Sequence, residues 1–187
     1  MKYYPLRPVQ RWLIDTHFNK AKSTMMNIGG LFKLSSQIDV QRFENAINEV
    51  LNAHDIFRCR LAFHPETSDL CQTFDGEVMP VIVEEWTDEE FQLIKKYLAE
   101  PYELIGKPLY RVYIFKTPSA NYLYVDFYHA TMDGVSVAIL FFREIDRNYR
   151  GHKSKRKPLS YAEFVEEEAN TPPEVLAEGH EYWEKMM

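Results

Sequence analysis

The residues best suited to chemistry lie in one short stretch, from His129 to Gly134, between a predicted strand and a predicted helix. An apolar and aromatic run, residues 122–127, predicts a buried strand that ends just before His129. A neutral imidazole can take up a proton near neutral pH, so a histidine held at a sheet edge can act as a general base. Asp133 and Gly134 open the following helix, where free N–H groups point outward.

Each of these residues also has a purely structural explanation. His129 fits a buried structural histidine, Asp133 fits the N-cap of the next helix, and Gly134 fits a turn. The spacing His-x-x-x-Asp also suits two metal ligands on one helical face. However, His129 precedes the helix and no third ligand is evident nearby, so we expect no metal site. A purely structural corner and a site for chemistry both remain open from the residues alone.

The surrounding sequence predicts the elements that position this stretch. Residues 135–149 predict a helix with one apolar face, formed by Ala138, Phe141, Phe142, Ile145 and Tyr149. Asp39 and Thr87 are typical N-caps of two further helices. Apolar periodicity predicts helices over residues 8–19, 40–54 and 88–98, and strands over residues 27–34, 56–61, 70–74, 81–83 and 110–116. Residues 58–74 predict a hairpin, and Gly29-Gly30 predicts a bulge or a close approach to the backbone.

Composition sets broad limits on function. The 187 residues suit one domain or two thirds of a larger compact unit, and the net charge of −6 argues against nucleic acid as the main partner. No apolar run is long enough to span a membrane, and the first residues lack the core of a signal peptide. Two cysteines, Cys59 and Cys71, form no disulfide framework, so we expect a cytoplasmic protein with Cys59 in its core.

The motif His129-x-x-x-Asp133-Gly134 resembles the His-His-x-x-x-Asp-Gly signature of the chloramphenicol acetyltransferase-like superfamily, which includes the condensation domains of nonribosomal peptide synthetases. The second histidine of that signature is the one assigned to catalysis, and His129 matches it. Tyr128 stands in place of the first histidine, which affects local packing more than chemistry.

Further landmarks of the same family follow in the family's order along nearly the whole chain. They are Gln10 with the prolines before it, His54, Asp55 and Arg58 of a helix-to-strand motif, the segment from Pro101 to Arg111, and the later pairs Tyr161–Phe164 and Tyr182–Trp183. The resemblance implies an α/β fold, a chloramphenicol acetyltransferase-like lobe with a mixed β-sheet and helices packed mainly on one face. It also implies that residues 1–187 are the N-terminal lobe and that the C-terminal lobe is absent from this chain.

The chemistry that the resemblance implies is acyl transfer from a carrier-bound thioester to an amine, forming a peptide bond. His129 would act as general base or orient the amine, and Asp133 and Gly134 would complete the catalytic motif. The N–H of Gly134 is a candidate donor to the oxyanion. Arg58, in an apolar strand, needs a carboxylate partner, and the family assigns that role to the motif aspartate, here Asp133. Arg58 and Tyr128 would thus support the site.

The expected partners follow from the same resemblance. No cofactor is expected to bind directly, and substrates are expected on the 4'-phosphopantetheine arm of donor and acceptor carrier proteins. The C-terminal lobe would supply the other wall of the cleft, and the isolated lobe should be inactive. The basic run at residues 150–157 is expected to be solvated or to dock an acidic carrier protein, with no nucleic-acid role.

Two other functions remain open on the sequence. A carrier- or CoA-dependent O-acyltransferase of the same superfamily would share His129 and differ only in its nucleophile. A degenerate lobe kept for binding would explain Tyr128, but His129, Asp133, Gly134 and Arg58 are all present.

Overall fold

The computed structural model describes residues 1–20, 23–152 and 158–187. The strands are β1 (Asn27–Lys33), β2 (Arg60–Phe63), β3 (Leu70–Thr73), β4 (Ile82–Glu85), β5 (Tyr110–Lys116) and β6 (Asn121–Tyr128). The helices are α1 (Pro8–Asn19), α2 (Val40–Ala53), α3 (Asp88–Ile94), α4 (Arg143–Tyr149), α5 (Tyr161–Ala169) and α6 (Pro173–Met186). Short 3₁₀ turns occupy Asp55–Arg58 and Lys95–Tyr97, and a π-helical segment, Ser136–Phe142, leads directly into α4.

The main sheet has four strands in the order β1-β6-β5-β4. Strand β6 is antiparallel to both of its neighbours, whereas β4 runs parallel to β5, so the sheet is mixed. Strands β2 and β3 form a separate antiparallel hairpin, which confirms the hairpin predicted from residues 58–74. An isolated bridge joins Tyr4 to Gln72 and ties the N-terminal segment to that hairpin.

Alternation along β6 divides the core into two layers. Leu123, Val125 and Phe127 face the larger core, which also contains buried residues of α1, α2 and the helix after β6. Tyr124 faces a smaller cluster on the other side, where it packs with Phe91 of α3. Most helical packing therefore lies on one face of the sheet, as expected, and only the short α3 covers the other face.

Local sequence chemistry explains where two of the helices begin. The Asp39 carboxylate accepts a hydrogen bond from the Arg42 N–H at 3.0 Å and caps α2. Thr87 and Glu90 form a reciprocal capping box at the start of α3, with bonds of 3.1 and 3.2 Å. Both caps confirm the predicted helix starts.

Gly29 is required by a close approach between β1 and β6. A Cβ built at this position would lie 1.9 Å from the Val125 carbonyl oxygen, well inside any real contact. This confirms the prediction that something approaches the backbone at the Gly29-Gly30 pair. A side chain at Gly29 would push β1 away from the strand that carries the candidate site.

Two predicted elements differ from the structure. Residues 55–58 form a 3₁₀ turn, and the strand predicted over residues 56–61 begins only at Arg60. In the helix after β6, Ala138 is exposed and Val137 is buried with Phe141 and Ile145. The reason is that Ser136–Phe142 is π-helical and has a wider turn than an α-helix. The wider turn places Val137, Phe141 and Ile145 on the buried face, whereas the predicted face was based on α-helical spacing.

Helix α6 leaves its apolar side chains without cover. More than half of the side chain is exposed at Val175, Leu176, Tyr182, Trp183 and Met186. These positions recur at helical spacing, so they share one side of the helix. Across the described ranges, no helix combines the length and apolar character that crossing a membrane would require.

Candidate functional site

The candidate site is the corner between β6 and the helix that follows it. Strand β6 ends at Tyr128, and the chain turns at His129 and Ala130. The Tyr128 carbonyl accepts bonds from the Thr131 N–H at 2.9 Å and from the Thr131 hydroxyl at 2.8 Å, which closes the turn. The helix then starts after Asp133. The corner therefore lies where the sequence predicts it, and these bonds fix its backbone.

The backbone of His129 is held by a hydrogen bond, and the residue as a whole is partly exposed. Its N–H donates to the Met26 carbonyl at 2.8 Å, just before β1 begins. Its Nδ1 atom is buried and has no hydrogen-bond partner among the described residues. The residue as a whole stays partly accessible. A partly accessible imidazole at the end of a strand can take part in proton transfer.

Asp133 is the N-cap of the helix after the corner. Its Oδ1 accepts a hydrogen bond from the Ser136 N–H at 2.7 Å, and its carbonyl accepts from the Val137 N–H at 2.9 Å. The bonds from Ser136 lower the pKa of the Asp133 carboxyl, and the nearby His129 ring adds a smaller effect in the same direction. The structure thus brings His129 and Asp133 together and gives the carboxylate a backbone partner.

The predicted ion pair between Arg58 and Asp133 is wrong for this structure. Within the described residues, no hydrogen bond or ion pair joins the two side chains. The physical reason is local, because Arg58 ends a 3₁₀ turn instead of lying in a strand, and the Asp133 carboxylate is already satisfied as a cap. The charge of Arg58 acts on Tyr110, where it opposes the rise that burial causes in the pKa of that phenol.

Gly134 begins the helix and faces open space. A Cβ built at Gly134 would meet no atom within 4 Å. The glycine is therefore not required by packing inside this chain. A second molecule can approach the N–H groups at the helix start from that side.

Tyr128, in place of the motif's first histidine, is fully buried. Its ring lies 5.4 Å from that of His17 and 5.6 Å from that of Tyr102, measured between centroids. Burial raises the pKa of its phenol, and the hydroxyl has no hydrogen-bond partner in the described part of the chain. Tyr128 therefore supports the corner by aromatic packing.

Replacing Tyr128 with phenylalanine should leave the protein as stable as before or more stable. A buried hydroxyl without a partner costs about 1–3 kcal/mol, and phenylalanine keeps the ring while removing that group. Urea denaturation of both proteins would measure the change in the free energy of unfolding. A clear loss of stability in Tyr128→Phe would show that the hydroxyl has a partner in solution.

Replacing Asp133 with alanine should lower the free energy of unfolding by about 1 kcal/mol, the usual contribution of a helix N-cap. Asp133→Asn should keep most of that stability, because asparagine caps nearly as well. The pKa of Asp133 is lower in the folded protein than in the unfolded chain. The stabilisation that comes from the charge of Asp133 is therefore fully present above the unfolded-state pKa, and it is lost as the pH falls through the folded-state pKa. Equal stability of the wild type and Asp133→Ala at pH 7 would contradict the capping role.

A partly buried ion pair that the sequence did not indicate involves Asp126, three residues before His129. Arg111 and Asp126 are direct partners in the β5–β6 register, and Arg111 Nη1 lies 3.0 Å from Asp126 Oδ2. The same oxygen accepts from Asn27 at 2.8 Å, and Arg111 stacks over the Tyr102 ring at 4.2 Å. Burial raises the pKa of the Asp126 carboxyl, while the Arg111 guanidinium and the Asn27 amide oppose that rise.

Replacing Arg111 with methionine should destabilise the protein by about 3 kcal/mol at pH 7, because it leaves the Asp126 carboxylate buried and unpaired. We take the low end of the usual range because Asn27 still donates to that carboxylate. The variant raises the folded-state pKa of Asp126 further, so its deficit should shrink as pH falls and the carboxyl takes up a proton.

The matched control is the double variant Arg111→Met with Asp126→Asn. It removes the buried charge together with its partner and should recover much of the stability lost in the single variant. Urea denaturation of all three proteins across pH 4–8 measures the effect. A single variant as stable as the wild type would contradict the pairing.

Other residues of the predicted motifs hold helices in place. His54 Nε2 lies 2.8 Å from a carboxylate oxygen of Glu144 in α4. The Asp55 carboxylate accepts hydrogen bonds from the Ser160 hydroxyl, the Tyr161 N–H and the Ala162 N–H, at 2.6, 2.9 and 3.1 Å. This arrangement anchors the start of α5 to the body of the lobe.

No metal centre or cofactor contact is assigned at the corner. Within residues 1–20, 23–152 and 158–187, no group of three or more histidine, cysteine or acidic side chains is placed to hold a metal ion.

Cys59 is fully buried, and burial raises its pKa to about 12, which agrees with its predicted place in the core. Most of the basic run at residues 150–157 lies outside the described residues, so its docking role stays a prediction.

Comparison with known sequences shows the family. The profile of the condensation domain matches residues 1–187. Gramicidin S synthase 2 of Aneurinibacillus migulanus is 27% identical over 165 residues, which cover 87% of this chain and 4% of the synthase. Surfactin synthase subunit 2 of Bacillus subtilis (strain 168) is 25% identical over 187 residues, which cover 97% of this chain and 5% of that subunit. The chain therefore spans only a small part of these relatives.

Solved structures show the same fold. The starter condensation domain of rhizomide synthetase RzmA matches with a TM-score of 0.84 at 18% identity, covering 100% of this chain and 48% of that one. The condensation domain of the monacolin K polyketide synthase MokA matches with a TM-score of 0.76 at 24% identity, covering 100% and 43%. With the profile matching its full length and the histidine corner in place, this chain belongs to the condensation domain family.

Proposed function

We propose that this chain is the N-terminal lobe of an acyltransferase that condenses a carrier-bound acyl or peptidyl thioester with an amine to form an amide. Family membership and relatives named as synthases of gramicidin S and surfactin support the proposal. The observation that carries it is His129, which follows the last residue of β6 and has a buried Nδ1 atom, while the residue as a whole stays partly accessible.

In this reaction the amine nitrogen attacks the thioester carbonyl carbon, the carbon–sulfur bond breaks, and the carrier thiol leaves with a proton. His129 acts through Nε2 as the general base, or as the group that orients the amine. No covalent enzyme intermediate is required, since a thioester is already activated. Asp133 fixes the helix start beside His129 and does not touch the reacting atoms.

The oxyanion that forms on the thioester carbonyl needs a hydrogen-bond donor. We assign the N–H of Gly134 as a candidate donor, because helix starts leave such groups unpaired and the space next to Gly134 is open. A β-carbon at this position would partly fill the space that the carbonyl must enter.

We further propose that a C-terminal lobe covers the uncovered side of α6 and completes the cleft. The chain covers 48% of the RzmA domain, and five large apolar side chains of α6 are exposed. Donor and acceptor carrier proteins would deliver the substrates on 4'-phosphopantetheine arms, and this lobe would bind no cofactor of its own.

We place the protein in the cytoplasm, where Cys59 and Cys71 would stay reduced.

The test is an assay of the two-lobe enzyme with aminoacyl thioesters loaded on two carrier proteins. Amide formation that depends on His129 supports the proposal. Ester formation from a hydroxyl acceptor would assign the O-acyltransferase activity instead. No product with any thioester, from a folded two-lobe protein, would indicate a binding lobe, for which Tyr128 is the structural argument.

A further inference from the structure

Two buried glutamines meet beneath the corner, one from α1 and one from β3. Gln10 and Gln72 are 2% and 0% exposed. Their side-chain amides bond to each other in both directions, Gln10 Nε2 to Gln72 Oε1 at 3.1 Å and Gln72 Nε2 to Gln10 Oε1 at 3.0 Å. Gln10 matched a family landmark in the sequence, whereas nothing in the sequence singled out Gln72.

Every hydrogen-bonding position of the pair is filled. Gln10 also donates to the Ala130 carbonyl at 3.0 Å and accepts from the Arg7 N–H at 3.0 Å. Gln72 also donates to the Pro5 carbonyl at 2.8 Å and lies within reach of the Cys59 thiol at 3.8 Å. A fully satisfied buried amide network favours a single arrangement, because any displacement leaves a polar group unpaired.

The bond to Ala130 connects this network to the candidate catalytic residue. Ala130 directly follows His129, so its carbonyl belongs to the turn that sets the direction of the imidazole. The turn is closed within itself by the bonds from Thr131 to the Tyr128 carbonyl, and it is also tied to β1 by the bond from the His129 N–H to the Met26 carbonyl. The bond to Met26 ties the turn to the start of β1, whereas the bond from Gln10 ties it to α1 and, through Gln72, to the β2–β3 hairpin.

We infer that Gln10, held in place by Gln72, is a positioning residue that fixes the His129 turn through the Ala130 carbonyl. This inference rests on the proposed function of His129. Gln10 does not touch substrate, since it is buried and its polar atoms are all occupied within the chain. Its contribution is to keep Nε2 aimed at the nucleophile, and a displacement of about 1 Å at a reacting group can cost on the order of 100-fold in rate.

The first experiment measures turnover of the two-lobe enzyme carrying Gln10→Leu, alone and combined with His129→Ala. Gln10→Leu should lower kcat by roughly 10- to 100-fold with little change in KM. In the His129→Ala background it should cause no further loss, because the residue it positions is gone. A loss that adds fully to that of His129→Ala would show a general structural effect and overturn the inference.

Gln10→Glu keeps the shape of the side chain if Gln10→Leu fails to fold. An ionised carboxylate still accepts from the Arg7 N–H but donates to neither Ala130 nor Gln72, whereas a protonated one has a single O–H that can donate to the Ala130 carbonyl. Burial favours the protonated form, so kcat of the variant relative to the wild type should rise as pH falls. A ratio that stays low and constant across pH 5–8 would contradict the donor role of Gln10.

Hydrogen exchange of the His129 amide separates this inference from the proposed function. Exchange measured by NMR should be at least about tenfold faster in Gln10→Leu than in the wild type, because the turn has lost the bond from Gln10 to the Ala130 carbonyl. Gln92→Leu, at an exposed position of α3, is the matched control and should leave the exchange unchanged.

Unchanged exchange in Gln10→Leu would overturn the positioning role, even if His129→Ala proves that His129 is catalytic. An inactive wild type would instead refute only the proposed function.

Discussion

Replacing His129 with alanine in the two-lobe enzyme should lower turnover by roughly 10²–10⁴-fold, the range expected for loss of a general base. Binding of the carrier proteins should change little, because the substitution removes one ring at the corner and leaves the rest of the surface unchanged. The measurement is single-turnover amide formation from carrier-bound thioesters, together with the affinity for each carrier.

The control for this variant is His64→Ala. His64 lies in the turn between β2 and β3, where its Nδ1 atom faces the Glu66 N–H at 3.3 Å, so its loss should not affect the corner. A loss below about threefold in His129→Ala with natural substrates would refute proton transfer by His129. Alignment of the two tethered substrates would then account for the rate enhancement.

The 187-residue chain by itself should fold cooperatively and show no measurable turnover. Folding is expected because one large buried core joins the sheet to α1, α2 and the helix after β6. Catalysis is not expected, because without a second wall the two substrates are not held together. Alignment of reactants can contribute about 7–11 kcal/mol, so its loss would bring the rate below detection.

The measurement combines a thermal melt of residues 1–187 with the thioester assay used for the two-lobe enzyme. The exposed apolar side of α6 should also cause some self-association at high concentration, which adding the second lobe should suppress. Turnover comparable with that of the two-lobe enzyme would contradict the shared cleft. It would make this chain a complete acyltransferase of a smaller kind.

Most of the sheet and the helix starts could be predicted because they follow from local patterns. Runs of apolar and aromatic residues define β5 and β6, and the caps Asp39 and Thr87 define the starts of α2 and α3. The corner at His129 was also predictable, since a strand pattern changes to a helical one there. These features depend on neighbours within a few residues and need no knowledge of tertiary contacts.

The supporting residues of the site were harder to predict because they depend on distant contacts. A charge in an apolar strand needs a partner, but Arg58 lies in a 3₁₀ turn and is not part of a strand. Asp126 in the apolar run of β6 was the clearer signal, and its partner Arg111 lies directly across the β5–β6 register. Gln72 carried no local signal, since only the fold brings it to Gln10.

The π-helical segment Ser136–Phe142 has a consequence for how this protein can change in length. A π-helical turn holds about one residue more than an α-helical turn, so it corresponds to a one-residue insertion in an otherwise regular helix. Deleting one residue there should restore α-helical geometry while Asp133 stays at the corner and Ile145 stays in the core. We therefore expect the protein to tolerate the deletion of one residue within Ser136–Phe142. The same deletion in the α-helical part, Arg143–Tyr149, should instead rotate every later side chain of the helix away from its present position.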